Sequence, residues 1–255
     1  MKTNVLAAVS AAALAICSGP AAAQDFGFMN NAISSDILHD SVFRDLPKRK
    51  VGRNGSLGVK GSAASGSPRA GLTAPPQVGA ASLSFGYTPS DAVSRQVEHE
   101  MYARLQKNNP ASAAAMKSLF ERHDPVDGYQ QIARNFGVPT RDLAATMAAY
   151  NVLGWLIANG EQQPPRGALS AARSQVAQII AQDARYRSED FRRKLDEEFM
   201  RLFFSIYAGW EHGRLREGPT ERRAFSDGVN EMWKSMFGKD LRAMELTSQG
   251  FRDRG

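Results

Sequence analysis

The sequence predicts an all-α protein: a bundle of six or seven helices, preceded by a signal peptide, a short amphipathic helix and a disordered linker. Three observations carry that prediction. Capping residues followed by proline recur at Thr88-Pro89, Asn109-Pro110 and Asp124-Pro125, the pattern of helix starts. Two long stretches near the C-terminus place apolar side chains every three or four residues, the period of one helix face. After residue 88 no stretch alternates apolar and polar residues for long enough to be a strand.

The chain opens with Lys2 and a 12-residue apolar run, Val5 to Ile16. A membrane span needs about 20 apolar residues, so this run suits a secretory signal better. Two exits compete. Ala21-Ala22-Ala23 places small residues for cleavage before Gln24, giving a periplasmic or secreted protein. Leu14-Ala15-Ile16-Cys17 reads instead as a lipoprotein box that would leave the chain anchored at Cys17. Ile16 is bulky where that box needs a small residue, so cleavage after Ala23 is favoured. Removing residues 1–23 from the 255 leaves 232 without a cysteine, since Cys17 is the only one. Disulfides, thiol nucleophiles and thiolate ligands are then excluded, and an apolar core has to hold the fold.

Residues 24–46 form a short N-terminal segment with Ile33, Ile37, Leu38 and Val42 at helical spacing behind Asn30-Asn31. A basic linker, 47–87, follows. Of its residues 47–84, 23 of 38 are Gly, Ser, Ala or Pro, too little apolar area to offset ordering entropy. The formal charge of +6 is unevenly placed. Residues 44–69 hold seven Lys or Arg against Asp45 alone, whereas 88–255 hold 24 against 22 acids.

The helical domain spans 88–255. Val93, Val97, Met101 and Leu105 step by four behind Thr88-Pro89. Two shorter helices start at Pro110 and Pro125, the second ended by Gly137-Val138-Pro139. Arg141 to Ala158 is next, closed by the breaker Gln162-Gln163-Pro164-Pro165-Arg166-Gly167, and helices are expected over 168–185, 188–215 and 220–237. The last two carry the clearest stripes: Phe191, Leu195, Phe199, Leu202, Phe203, Ile206 and Trp210, then Phe225, Val229, Met232, Trp233, Met236 and Phe237. Helix 143–158 is apolar all round. It is too short and Ala-rich for a membrane span and fits a central helix, with Ala144, Ala148 and Gly154 allowing close neighbours.

The stretches GVPTRDLAATMAAYNVLGWLIANG, Ala172-Arg173-Ser174-Gln175 and Asp240-Leu241-Arg242 through LTSQGF resemble a family of uncharacterised exported bacterial proteins, a domain of unknown function, over roughly 88–255. The resemblance implies a bacterial, envelope-facing setting. It carries no activity, cofactor or catalytic residue.

Chemistry-bearing motifs are absent from the sequence. G-x-S-x-G, the P-loop and G-x-G-x-x-G do not occur, and His39, His99, His123 and His212 lack metal-ligand spacing. No catalytic residue, metal site or cofactor is therefore assigned. Asp196, Glu197 and Glu198 suggest paired carboxylates for wall-glycan cleavage, but beside Arg193 and Arg201 they read as a solvated face with i,i+4 ion pairs. Arg173 lies near the apolar face of its helix, and Asn151 and Tyr150 lie in the charge-free helix. The three are expected to share one internal polar network, either a register clamp or an anchor for an anionic ligand. Arg44, Lys48, Arg49, Lys50 and Arg53 form a basic contact for an anionic envelope surface, or a solvated linker. Nucleic acid is excluded as a partner, because no aromatic residue interleaves 44–69. The expected function is a non-enzymatic binding module in the cell envelope with no transmembrane helix in the mature chain and an envelope protein or anionic envelope surface as partner. The alternative is an envelope hydrolase acting on wall glycan or peptide.

Overall fold

The computed structural model describes residues 84–216 and 218–254. The expected signal peptide, the 24–46 segment, most of the expected linker and the Arg44–Arg53 cluster lie outside the described residues. The described part is all-α, with α1 (Asp91–Asn108), α2 (Pro110–Arg122), α3 (Pro125–Asn135), α4 (Leu143–Asn159), α5 (Ala168–Ile180), α6 (Glu189–Arg216) and α7 (Pro219–Phe237). A C-terminal hairpin follows, β1 (Met244–Thr247) and β2 (Gly250–Asp253).

Asn109 and Asp124 cap α2 and α3 through their side chains, with proline directly after, as the sequence suggests. The first start falls two residues later than expected. Ser90, not Thr88, accepts the Val93 N–H, so Pro89 precedes the cap. α5 is shorter than the expected 168–185. It stops at Ile180, and Asp183 caps a 3-10 turn, Ala184–Arg187.

α4 is the axis of the bundle. Every residue from Leu143 to Ala158 is buried, against α5, α6 and α7. Its small residues set the spacing: a Cβ on Gly154 would lie 2.6 Å from the Trp233 ring. Its uniform apolarity is that of an enclosed helix, and among the described residues no helix is long and apolar enough to cross a membrane. The stripes of α6 and α7 face this axis, with Leu195, Phe199, Leu202, Ile206, Val229 and Trp233 all buried.

Two expectations are corrected. The hairpin was not foreseen, because four-residue strands are too short to show a period-two pattern, although Met244–Thr247 does alternate buried and half-buried. Asp196, Glu197 and Glu198 are not a solvated face: they are 0%, 4% and 7% exposed. α6 is packed by α1, α3, α4 and α7, so little of its circumference meets water. Packing also reaches further back than residue 88. Phe85 is buried, Gly86 bridges Asp142, and Arg192 donates to the Gly86 carbonyl at 3.1 and 3.2 Å.

Candidate functional site

The polar residues singled out in the sequence separate into two places. Asp142 sits at the start of α4, where one carboxylate oxygen caps the Ala145 N–H and the other meets Arg173 Nη2 at 2.7 Å. Arg173 therefore fastens α5 to the cap of α4. Asn151 lies on the seam between α4 and α7. It accepts Trp233 Nε1 at 3.0 Å and donates to the Met147 carbonyl. Tyr150 stacks on the Trp233 ring at 4.6 Å, while its buried hydroxyl meets no hydrogen-bond partner. Burial and the Glu198 charge push its pKa above the usual tyrosine range. Arg173 is thus not bonded to Asn151 or Tyr150.

The three consecutive acids of α6 fan out at about 100° per residue and meet different partners. Glu197 accepts Arg201 at 2.6 Å and the Ser94 hydroxyl of α1 at 3.0 Å, and Glu198 accepts Arg104 at 2.6 Å. Asp196 faces the Tyr87 and Thr146 hydroxyls, which do not close on either oxygen in good hydrogen-bond geometry. Desolvation pushes its pKa up to about 7, against the lowering effect of those hydroxyls. Tyr129, which donates to Thr146 at 3.1 Å, is pushed upward by burial and the Asp196 charge. All three carboxylates are buried, and none of them lines either recess described below.

Access exists elsewhere. The α3–α4 turn and the α4–α5 loop face each other across an open cleft of about 670 Å³, lined by Phe136, Pro139, Pro165, Arg166, Ser170 and Arg173 among others. Both walls follow from local chain rules. Gly137, at φ 67°, closes α3 with the Val138 N–H on the Ala133 carbonyl, and this leaves Phe136 49% exposed at the rim. Gly160 closes α4 the same way, and Gly167, at φ 82°, turns the chain into α5. Phe136, Val138, Pro164 and Leu169 are shared with an apolar slot of about 50 Å³ that runs inward to Leu153, Phe203 and Trp210. Arg166 and Arg141 are exposed and make no ion pair among the described residues. Among the described residues no Asp or Glu lines either recess.

Of the residues expected to bind a ligand, only Arg173 lines this cleft; Asn151 and Tyr150 do not. Phe136, Pro139 and Arg166 were missed as site residues. Their signal was two Pro- and Gly-rich breakers flanking one apolar helix, here read only as punctuation. His99 is exposed, and among the described residues no group of three or more His, Cys, Asp or Glu is placed to hold a metal ion.

An all-α bundle around one enclosed helix, with an apolar slot opening into a cation-rimmed cleft, is the class of protein that these features define. The chain belongs to a family of unknown function (DUF6683), whose model matches residues 2–254. The match takes in the N-terminal region as well as the 88–255 bundle. No curated protein and no solved structure matches the chain.

The stretches that carried the resemblance assemble around α4. Arg173 reaches Asp142, the Gln175 side chain exchanges two hydrogen bonds with the Phe251 backbone at 2.8 and 2.9 Å, and Gly250 leaves room for it. Trp155 Nε1 donates to the Met244 carbonyl, and Arg242 Nε donates to the Ala158 carbonyl. These residues build the fold; the cleft rim draws mostly on others.

Proposed function

We propose that this protein is an exported, non-enzymatic binding module of the bacterial cell envelope, whose cleft takes an extended, apolar peptide segment carrying acidic residues from an envelope protein. The observation that carries the reading is the continuity of the apolar slot with a cleft whose lining holds the exposed Arg166. Phe136, half exposed, offers the apolar anchor that such a segment needs, and Arg166 supplies a forked donor for a carboxylate. Hydrolysis of wall glycan has less support. It needs two carboxylates flanking the substrate, and among the described residues no carboxylate lines either recess. The basic residues Arg44, Lys48, Arg49, Lys50 and Arg53 would add a salt-sensitive attraction to anionic envelope surfaces.

Selection of random 12-residue peptides on the purified chain tests the reading. Peptides pairing aromatic or aliphatic residues with Asp or Glu should emerge. Phe136→Asp and Arg166→Glu should each weaken them by about tenfold or more, on the order of 1.4 kcal/mol. Peptides without that signature, or binding untouched by both substitutions, would remove the cleft as the site.

A further inference from the structure

The chain enters the bundle beside the cleft. Leu143 donates its N–H to the Phe85 carbonyl, and Gly86 bridges Asp142. Pro139 and Ala145, both cleft-lining, stand three residues either side of Asp142, and Arg173, its ion-pair partner, lines the cleft too. At about 3.8 Å per Cα step, Ser84 lies two steps, within roughly 8 Å, of Gly86, the residue bridged to Asp142.

The residues before Ser84 include a stretch of matching chemistry. Residues 24–43 carry Phe26, Phe28, Ile33, Ile37, Val42 and Phe43, with Asp25, Asp36 and Asp40 and no Lys or Arg. The cleft offers apolar walls and the exposed cation Arg166. Between Phe43 and Ser84 the chain has 40 residues, and coil dimensions for so Gly- and Ser-rich a composition give a reach of about 35 Å. That is long enough to return to the recess. A segment held this way is present at an effective concentration on the order of 1 mM. A contact with a Kd of only about 0.1 mM would then fill the cleft about ten to one.

We infer that residues 24–43 occupy this cleft in cis, as an internal ligand that a partner's segment has to displace. The inference rests on the reading of the cleft as a peptide site and adds its regulation: the same chain supplies a competitor. Cleavage after Ala23 frees the start of that competitor without removing any of its apolar or acidic residues.

The test uses the chain from Gln24 to Gly255, which lacks cysteine, with Ile37→Cys and Ser170→Cys introduced together. Under mild oxidation an intramolecular disulfide should form at least about tenfold faster than in a control pairing Ile37→Cys with Lys117→Cys, on exposed α2. In parallel, deleting residues 24–46 should tighten binding of a cleft-selected peptide by about tenfold. A Ser170 pair no faster than the control, with peptide affinity unchanged by the deletion, overturns the internal ligand and leaves the peptide site standing. Disulfides that form mainly between two chains overturn the cis arrangement in favour of a second copy as occupant. Peptides that bind neither chain, while the intramolecular disulfide forms, keep the internal ligand and sink the reading of a site for foreign segments.

Discussion

Asp196 is the residue whose chemistry departs furthest from its place in the sequence. Its carboxyl has no exposure and faces Tyr87, Tyr129, Thr146, Asp142 and Glu197, with a pKa raised to about 7. An acid with a raised folded pKa binds more protons folded than unfolded, so its contribution to stability is fully present below the unfolded value of about 4. It is lost as pH rises through about 7. Asp196→Asn should therefore gain on the wild type between pH 5 and pH 8, by on the order of a few kcal/mol. Denaturant unfolding of both at the two pH values checks this, and a difference independent of pH would count against a titrating Asp196. Arg201 poses the opposite case. Its side chain is 3% exposed and is bound to Glu197 at 2.6 Å and to the Ser94 hydroxyl at 2.8 Å. Arg201→Met leaves the Glu197 carboxylate buried without its cation, and the expected loss is about 3–5 kcal/mol. Adding Glu197→Leu should recover a large part of it. A loss below about 1 kcal/mol in the single variant would mean that water reaches the pair.

At the scale of elements, α4 sets the tolerances of the bundle. Helix propensity alone favours alanine over glycine at position 154 by about 1 kcal/mol. The Trp233 ring, 2.6 Å from where that Cβ would sit, opposes it. Trp233 is also pinned by its hydrogen bond to Asn151 and by its stack on Tyr150, so it has little freedom to yield. Gly154→Ala should therefore destabilise the protein by about 1–3 kcal/mol, read as a lower urea midpoint. A neutral or stabilising result would show that α7 slides on α4 more easily than this packing implies.

At the scale of the whole molecule, the question is where the chain starts and what it is attached to. The apolar run ending before Ala21-Ala22-Ala23 predicts a soluble species beginning at Gln24 in the native host. Intact mass of soluble and membrane fractions decides it. A membrane species beginning at Cys17 with added acyl mass would make the protein a lipoprotein, and the cleft would then work at a membrane surface. In the first case the chain has no cysteine, and its melting temperature should be the same with and without reductant.

The sequence by itself determined the class of fold and most of its punctuation. Helix caps such as Asn109 and Asp124, breakers at Gly137 and Gly160, and the stripes of α6 and α7 are local signals, acting within one or two turns of chain. It also marked Arg173 as a polar group needing a partner near an apolar face. Which partner was a tertiary decision: Asp142 lies 31 residues away and is brought there by the packing of α5 on α4. The burial of Asp196, Glu197 and Glu198 was decided the same way. A helix pattern shows the strongest apolar face, but neighbours on several sides also enclose its flanks, and polar groups there are matched by residues from other helices. The hairpin needed Gln175 to complete its edge, 76 residues before its partner Phe251. The cleft belongs to no single segment. Its two walls are separate loops on either side of α4, and only the folding of the chain over that helix sets them face to face.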